Sequence, residues 1–202
     1  MVKPVPIRTI TVGTGTPVHR LCSMAIQHLA TKEHLPSMDS STKEAVRRII
    51  FINENHTPLS PEAAFAFSDI QSMYDNVDCN EGLEEVKTQL EKDPSPLGMS
   101  SKFLTEGLKI CLDCNCVQFK KKFVIPCKGC GQGTCHACTF TDLWVGKVIK
   151  KHLESSNIDS VLYSIYRDDE RDILTRGMED QDAYQKHLDS LHPNLKWDLT
   201  CT

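Results

Sequence analysis

Three cysteine pairs, Cys111-Leu-Asp-Cys114, Cys127-Lys-Gly-Cys130 and Cys135-His-Ala-Cys138, crowd one short stretch of this chain. The two-residue spacing lets a tight turn aim both thiolates of a pair at one tetrahedral ion, so the run reads as a zinc site holding one or two ions. Its candidate ligands are Cys111, Cys114, Cys127, Cys130, Cys135 and Cys138. Asn115 and Gly131 follow the second cysteines of two pairs, and both residue types tolerate the left-handed backbone that a thiolate knuckle often needs.

Disulfides are the competing use of so many cysteines, and the expected compartment argues against them. The opening Met1-Val-Lys-Pro-Val-Pro6 has no charged segment followed by an apolar one. No run reaches the roughly 18 apolar residues of a membrane helix, so no membrane span is expected. A reducing setting follows, cytoplasmic or nuclear, where clustered thiols hold metal. A redox centre would show one lone Cys-x-x-Cys opening a helix after a strand, and an iron–sulfur cluster is the remaining alternative.

With 202 residues, 40% of them apolar, the chain has enough material for a buried core in one domain with an appendage or in two small ones. Its net charge of -4 is unevenly spread: residues 101–152 carry +6 between flanks of -4 and -6. The metal segment is thus a basic island, which attracts polyanions while the acidic flanks stay solvated or meet a basic protein.

Periodicity gives the rest of the chain a helical character. A short strand is expected over Pro6–Gly13, then a helix from Pro17 with Val18, Leu21, Ala25 and Leu29 on one stripe. Ser41-Thr-Lys-Glu44 has the form of a capping box ahead of Ala45, Val46, Ile49 and Ile50. Ser60-Pro61 would open a helix with Ala63, Phe67, Ile70 and Tyr74 on one face, and Asn80 would cap another carrying Leu83, Val86 and Leu90. Cys22 and Cys79 read as buried small hydrophobes, and His19, His28, His34 and His56 as surface or capping residues.

Two prolines and a glycine in Asp93–Ser101 suggest a linker. Beyond it come a short helical turn through Phe103, Leu104 and Leu108, the metal segment, a helix capped at Thr141-Asp142 with Trp144 in its core stripe, and helices near 161–174 and 183–191. The expected fold class is mainly α: a helical domain over 1–92, a linker over 93–101, a zinc-binding module over 102–153 and an acidic helical region over 154–202.

Between the first two pairs, Val117-Gln-Phe-Lys-Lys-Lys-Phe-Val-Ile125 has β-forming ends and a charged centre, as a hairpin between two knuckles would. If the first and second pairs share an ion the module is a zinc ribbon; if the first and third do, it is a treble clef. On Cys130-Gly131 and Cys135-x-x-Cys138-Thr139, residues 111–139 resemble the cross-braced RING and FYVE fingers. That resemblance implies pairs one and three on one ion. A fourth pair is missing, so a second full site would recruit Cys116, His136, His152 or a more distant histidine.

The chain lacks a glycine-rich phosphate loop, a His-Glu-x-x-His helix and a nucleophile elbow, and four thiolates close a zinc shell to water. The expectation is a non-catalytic regulatory protein. Its basic module would bind nucleic acid through residues 117–151, RNA or single strands above duplex DNA, with Phe119 stacking on bases and Lys120, Lys121, Lys122 and Lys128 meeting phosphates. Its helical parts would dock a protein partner or a second copy. A RING-like adaptor or ubiquitin ligase, and zinc as a mere staple, are the alternatives.

Overall fold

In Ala64-Phe-Ala-Phe-Ser-Asp-Ile70, Ala66, Ser68 and Ile70 are buried while Phe65, Phe67 and Asp69 are exposed. That is the period of a strand with one covered face, not of a helix. The computed structural model describes residues 17–30, 37–39, 41–55, 59–119, 121–126, 128–155, 160–175 and 181–201, without the side chains of Val18, Val117, Gln118, Phe119 and Ser155. The elements are α1 (Pro17–Gln27), α2 (Thr42–Asn55), β1 (Ala64–Ile70), α3 (Met73–Asn76), α4 (Cys79–Lys92), α5 (Ser101–Asp113), β2 (Val117–Phe119), β3 (Lys122–Val124), α6 (Ala137–Ser155), β4 (Ser160–Tyr166), β5 (Asp169–Leu174), α7 (Gln181–Ser190) and β6 (Trp197–Cys201). The strand expected at 6–13 lies outside the described residues.

The mainly α expectation is therefore corrected. The fold is α/β, centred on a four-stranded antiparallel sheet in the order β4-β5-β1-β6. Two segments expected to be helical are strands. The stripe Ala63, Phe67, Ile70 fits a helical spacing, but alternation in β1 allows Ser68 to meet Glu170 on the covered side, and tertiary pairing wins. Residues 161–174 form the β4–β5 hairpin around Arg167-Asp168.

The chain divides into two compact units, each made of two stretches: residues 1–28 with 74–141, and 29–73 with 142–202. The stretch 93–101, expected to separate domains, lies inside the first unit. There Asp93 closes α4 and Ser100 caps α5 by accepting from the Phe103 amide at 3.2 Å. Asp78, rather than Asn80, caps α4 by accepting from the amides of Asn80 and Glu81. At Gly82 a Cβ would come within 2.5 Å of the Phe140 ring, so this close approach excludes a side chain.

In the second unit the covered sheet face meets α6 and α7. The His152 ring lies 5.1 Å from that of Tyr163, and the Tyr184 hydroxyl donates to Asp172 at 3.2 Å. Trp144, as expected, is fully buried, with its ring edge against His192. Ser41 caps α2 through the Glu44 amide. Ahead of α2, the buried Asp39 receives Arg48 at 2.9 Å and Arg171 at 3.2 Å, tying this stretch to β5.

Candidate functional site

The register of the sheet builds the site. Asp69 on β1 lies opposite Asp169 on β5 and, on its other side, opposite Asp198 on β6. Residues directly opposite in antiparallel strands project from one face with Cβ atoms about 5 Å apart. Three carboxylates therefore stand in a row across three adjacent strands, all exposed. A fourth acid, Asp168, occupies the β4–β5 turn, where its carbonyl accepts from the Ile70 amide at 2.9 Å.

That turn is strained. Tyr166 pairs with Asp169, leaving Arg167 and Asp168 as a two-residue loop, and Arg167 has φ of 62°, a region that glycine normally fills at this position. Its guanidinium is held by the Asp142 carboxylate. Burial raises the Asp142 pKa, and the charge of Arg167 works in the opposite direction. Backbone strain held by surrounding contacts concentrates at functional sites.

Beside the acids, Phe65 and Phe67 occupy the same open face with rings stacked at 6.5 Å. A cavity of about 480 Å³ is lined by Phe67, Asp69, Tyr166, Asp169, Arg171 and Asp198, with Thr42 and Ala45 of α2 on its wall. Its size is that of a small-molecule or nucleotide pocket. On the covered face Glu170 accepts from Ser68 at 2.5 Å, and burial pushes its pKa up to about 7.

Among the described residues, no three His, Cys, Asp or Glu side chains are closed around a common point. The carboxylates form an open row instead. Hard oxygen donors of this kind suit Mg²⁺ or Mn²⁺, and Mg²⁺ is held by one or two carboxylates plus substrate phosphates rather than by an all-protein cage. The chemistry of the row is compatible with such a cation. Sequence reasoning missed this site, although Ala64–Ile70 and Val161–Leu174 carried alternation and an acidic turn that mark strands ending in carboxylates.

The predicted cysteine ligands lie in the other unit and sort themselves differently from their pairs. Cys111 and Cys114 occupy the end of α5, a 13-residue helix, not a knuckle between strands. The Cys111 thiol lies 3.7 Å from that of Cys22. Burial pushes the Cys111 pKa up to about 12, and Cys22, Cys135 and Cys114 are near enough to add to the shift. Cys130 and Cys138 instead neighbour Cys79: burial raises the Cys130 pKa, and the charges of Cys79 and Cys138 reinforce it.

Among the described residues no zinc ribbon or treble clef is formed: Cys111 is helical, and its thiol meets that of Cys22. Cys22 is buried, as expected, and Cys79 half-buried, with its thiol donating to the Gly129 carbonyl at 3.3 Å. Cys127 lies outside the described residues. The left-handed residues among those described there are Gly129 (φ 84°) and Gly133 (φ 98°), not Asn115 or Gly131, and the amide of Cys130 donates to the Tyr74 carbonyl at 2.8 Å. Gly131 serves a different purpose, because a Cβ there would come within 2.5 Å of the Asn115 amide group.

Of the predicted nucleic-acid contacts, Lys121 and Lys122 are exposed at the tip and second strand of the β2–β3 hairpin, followed by Phe123 at 71% exposure. Lys128 donates to Asn76 at 3.0 Å. Lys120 and the Phe119 side chain lie outside the described residues. Among the described residues no helix is long and apolar enough to cross a membrane.

No protein-family model matches the chain, and no curated protein sequence does. Solved structures do resemble it. Apo telomerase from Candida tropicalis matches with a TM-score of 0.65 at 15% identity, covering 96% of this chain and 37% of that one. The same enzyme in complex with the TWJ fragment of telomeric RNA matches at 0.64, with 16% identity and coverages of 94% and 33%. Telomerase from Candida albicans, also in complex with that RNA fragment, matches at 0.64, with 12% identity and coverages of 92% and 35%. The chain spans about a third of the length of these telomerase chains, and at such identities what they share with it is the fold.

Proposed function

We propose that this chain carries the carboxylate centre of a nucleic-acid polymerase, which adds nucleotides to a 3′-hydroxyl along an RNA template. The observation that carries the reading is the position of Asp69 between Asp169 and Asp198, with Asp168 at the adjoining turn, on an open sheet face. The fold shared with telomerases solved in complex with RNA supports it.

In this reading Asp69, Asp168 and Asp169 would hold the divalent cations. Held there, such cations would supply charge neutralisation for phosphoryl transfer. The chain's own part is to fix the donors on neighbouring strand ends, so that no loop has to close to assemble them. Phe65 and Phe67 offer a stacking surface beside them, and the cavity gives a nucleotide its space. The basic hairpin supplies phosphate contacts from Lys121 and Lys122.

Extension of a DNA primer annealed to RNA tests the proposal. Nucleotide incorporation should require Mg²⁺ or Mn²⁺ and fall by about 100-fold or more in Asp69→Asn or Asp168→Asn. Independently of incorporation, the chain should bind Mn²⁺, read by its paramagnetic signal, in an Asp69-dependent way. Changing Lys120, Lys121 and Lys122 together to Gln should lower the salt slope of RNA binding by about two to three units, since each phosphate contact releases roughly 0.7 to 0.9 of a counterion. Mn²⁺ binding that ignores Asp69, together with RNA binding that ignores the lysines, would overturn the proposal and favour a protein adaptor.

A further inference from the structure

Cys22 and Cys111 come from α1 and α5, separated by 89 positions in the chain, yet their sulfurs lie 3.7 Å apart. That is too long for a disulfide, whose sulfurs are about 2.05 Å apart. It matches the edge of a tetrahedral zinc–thiolate centre, in which Zn–S bonds of about 2.3 Å hold sulfurs about 3.8 Å apart. Both residues are buried, at 4% and 2% exposure.

Two further thiols border this edge. Cys114 caps α5 one turn beyond Cys111, and residues three apart share a helix face. Cys135 is brought to Cys22 by Ser23, whose hydroxyl donates to the Cys135 carbonyl at 2.9 Å. Both side chains are exposed, and a shared ion would require them to turn their sulfurs toward the buried pair. The nearby imidazoles are occupied with each other: His19 and His136 are stacked, with their Nδ1 atoms 3.3 Å apart.

We propose that Cys22, Cys111, Cys114 and Cys135 form a four-thiolate site for a soft divalent cation, zinc above all, that fastens α1 and α5 to the turn at Cys135. The site is separate from the carboxylate row in chain and in chemistry: soft sulfur on one side, hard oxygen on the other. Four thiolates leave no position for water, so the ion is structural. Binding releases the thiol protons to solvent as the zinc–sulfur bonds form, with no change in oxidation state.

The test uses the full chain purified under reducing conditions, with zinc measured by elemental analysis and with Co²⁺ as a spectroscopic replacement. Cobalt should give the intense sulfur-to-metal absorption and tetrahedral bands of a four-thiolate site. Cys22→Ser and Cys135→Ser should each lose one equivalent of zinc, while Cys116→Ser should lose none. Because the serine variants could fail to fold, alkylation of the unaltered protein gives a second readout. Cys22, Cys111, Cys114 and Cys135 should be protected together by zinc and become reactive together on chelation. Full zinc content in Cys22→Ser, a Cys22–Cys111 disulfide in the reduced preparation, or cobalt spectra without thiolate bands would overturn the proposal.

Discussion

Asp69 of β1 lies directly opposite Asp169 of β5, two like charges in a cross-strand position that sheets ordinarily give to apolar or oppositely charged pairs. Such a pair costs about 0.2 to 1 kcal/mol, a sacrifice of stability expected where the charges serve chemistry. In a chelator, Asp169→Asn should therefore raise the unfolding temperature by about 1 to 3 °C. In millimolar Mn²⁺ the order should reverse, because ion binding stabilises only the folded protein that retains its donors. Thermal unfolding of both proteins under the two conditions checks this. Equal stabilisation of parent and variant by Mn²⁺ would remove the cation from the site.

Glu170 adds a pH dependence from the opposite face of the same strand. Burial, the largest cause, lifts its pKa to about 7 from the ordinary 4.5, with Asp172 adding to the shift and the hydrogen bond from Ser68 opposing it. A carboxyl whose folded pKa is raised contributes stability that is fully present below the unfolded value and lost as pH rises through the folded one. Stability should thus fall between pH 4.5 and 7 and level off above, with Glu170 contributing a decline of about 3 kcal/mol. Glu170→Gln keeps an acceptor for Ser68 and removes the titration. Urea unfolding across this range should show a flatter curve for the variant, which becomes the more stable protein at pH 8. Parallel curves would mean that Glu170 ionises as readily folded as unfolded.

How far the sequence reveals this molecule depends on the distance over which its signals act. Ser41 at the head of α2 and the stripes of α4 and α7 are local, and each was legible from caps and periodicity. β1 was not, because Ala63, Phe67 and Ile70 satisfy a helical stripe as well as an alternation. What separates the two is the burial of Ser68 and its pairing with Glu170, a hundred residues away. The acidic row needs the registers of three strands at once, and no local pattern contains those registers. The cysteines show the same limit. Their pairwise spacing suggested a metal and grouped neighbours in sequence, whereas the fold sets Cys111 against Cys22 and Cys130 near Cys79.

Arg167 combines two effects of opposite sign at the turn beside the acids. Its left-handed backbone costs about 1 to 2 kcal/mol, which glycine would relieve. Its guanidinium, however, pairs with the buried carboxylate of Asp142, and because the arginine side chain is one-third exposed, removing it costs about 3 kcal/mol, the low end for a buried pair. The second effect is larger. Arg167→Gly alone should destabilise the protein by about 2 kcal/mol in urea unfolding, whereas Arg167→Gly with Asp142→Asn should recover most of the loss, since no uncompensated charge remains. A single glycine variant more stable than the parent would show that strain, not the ion pair, governs this turn, and that Asp168 is positioned by the hairpin backbone without help from α6.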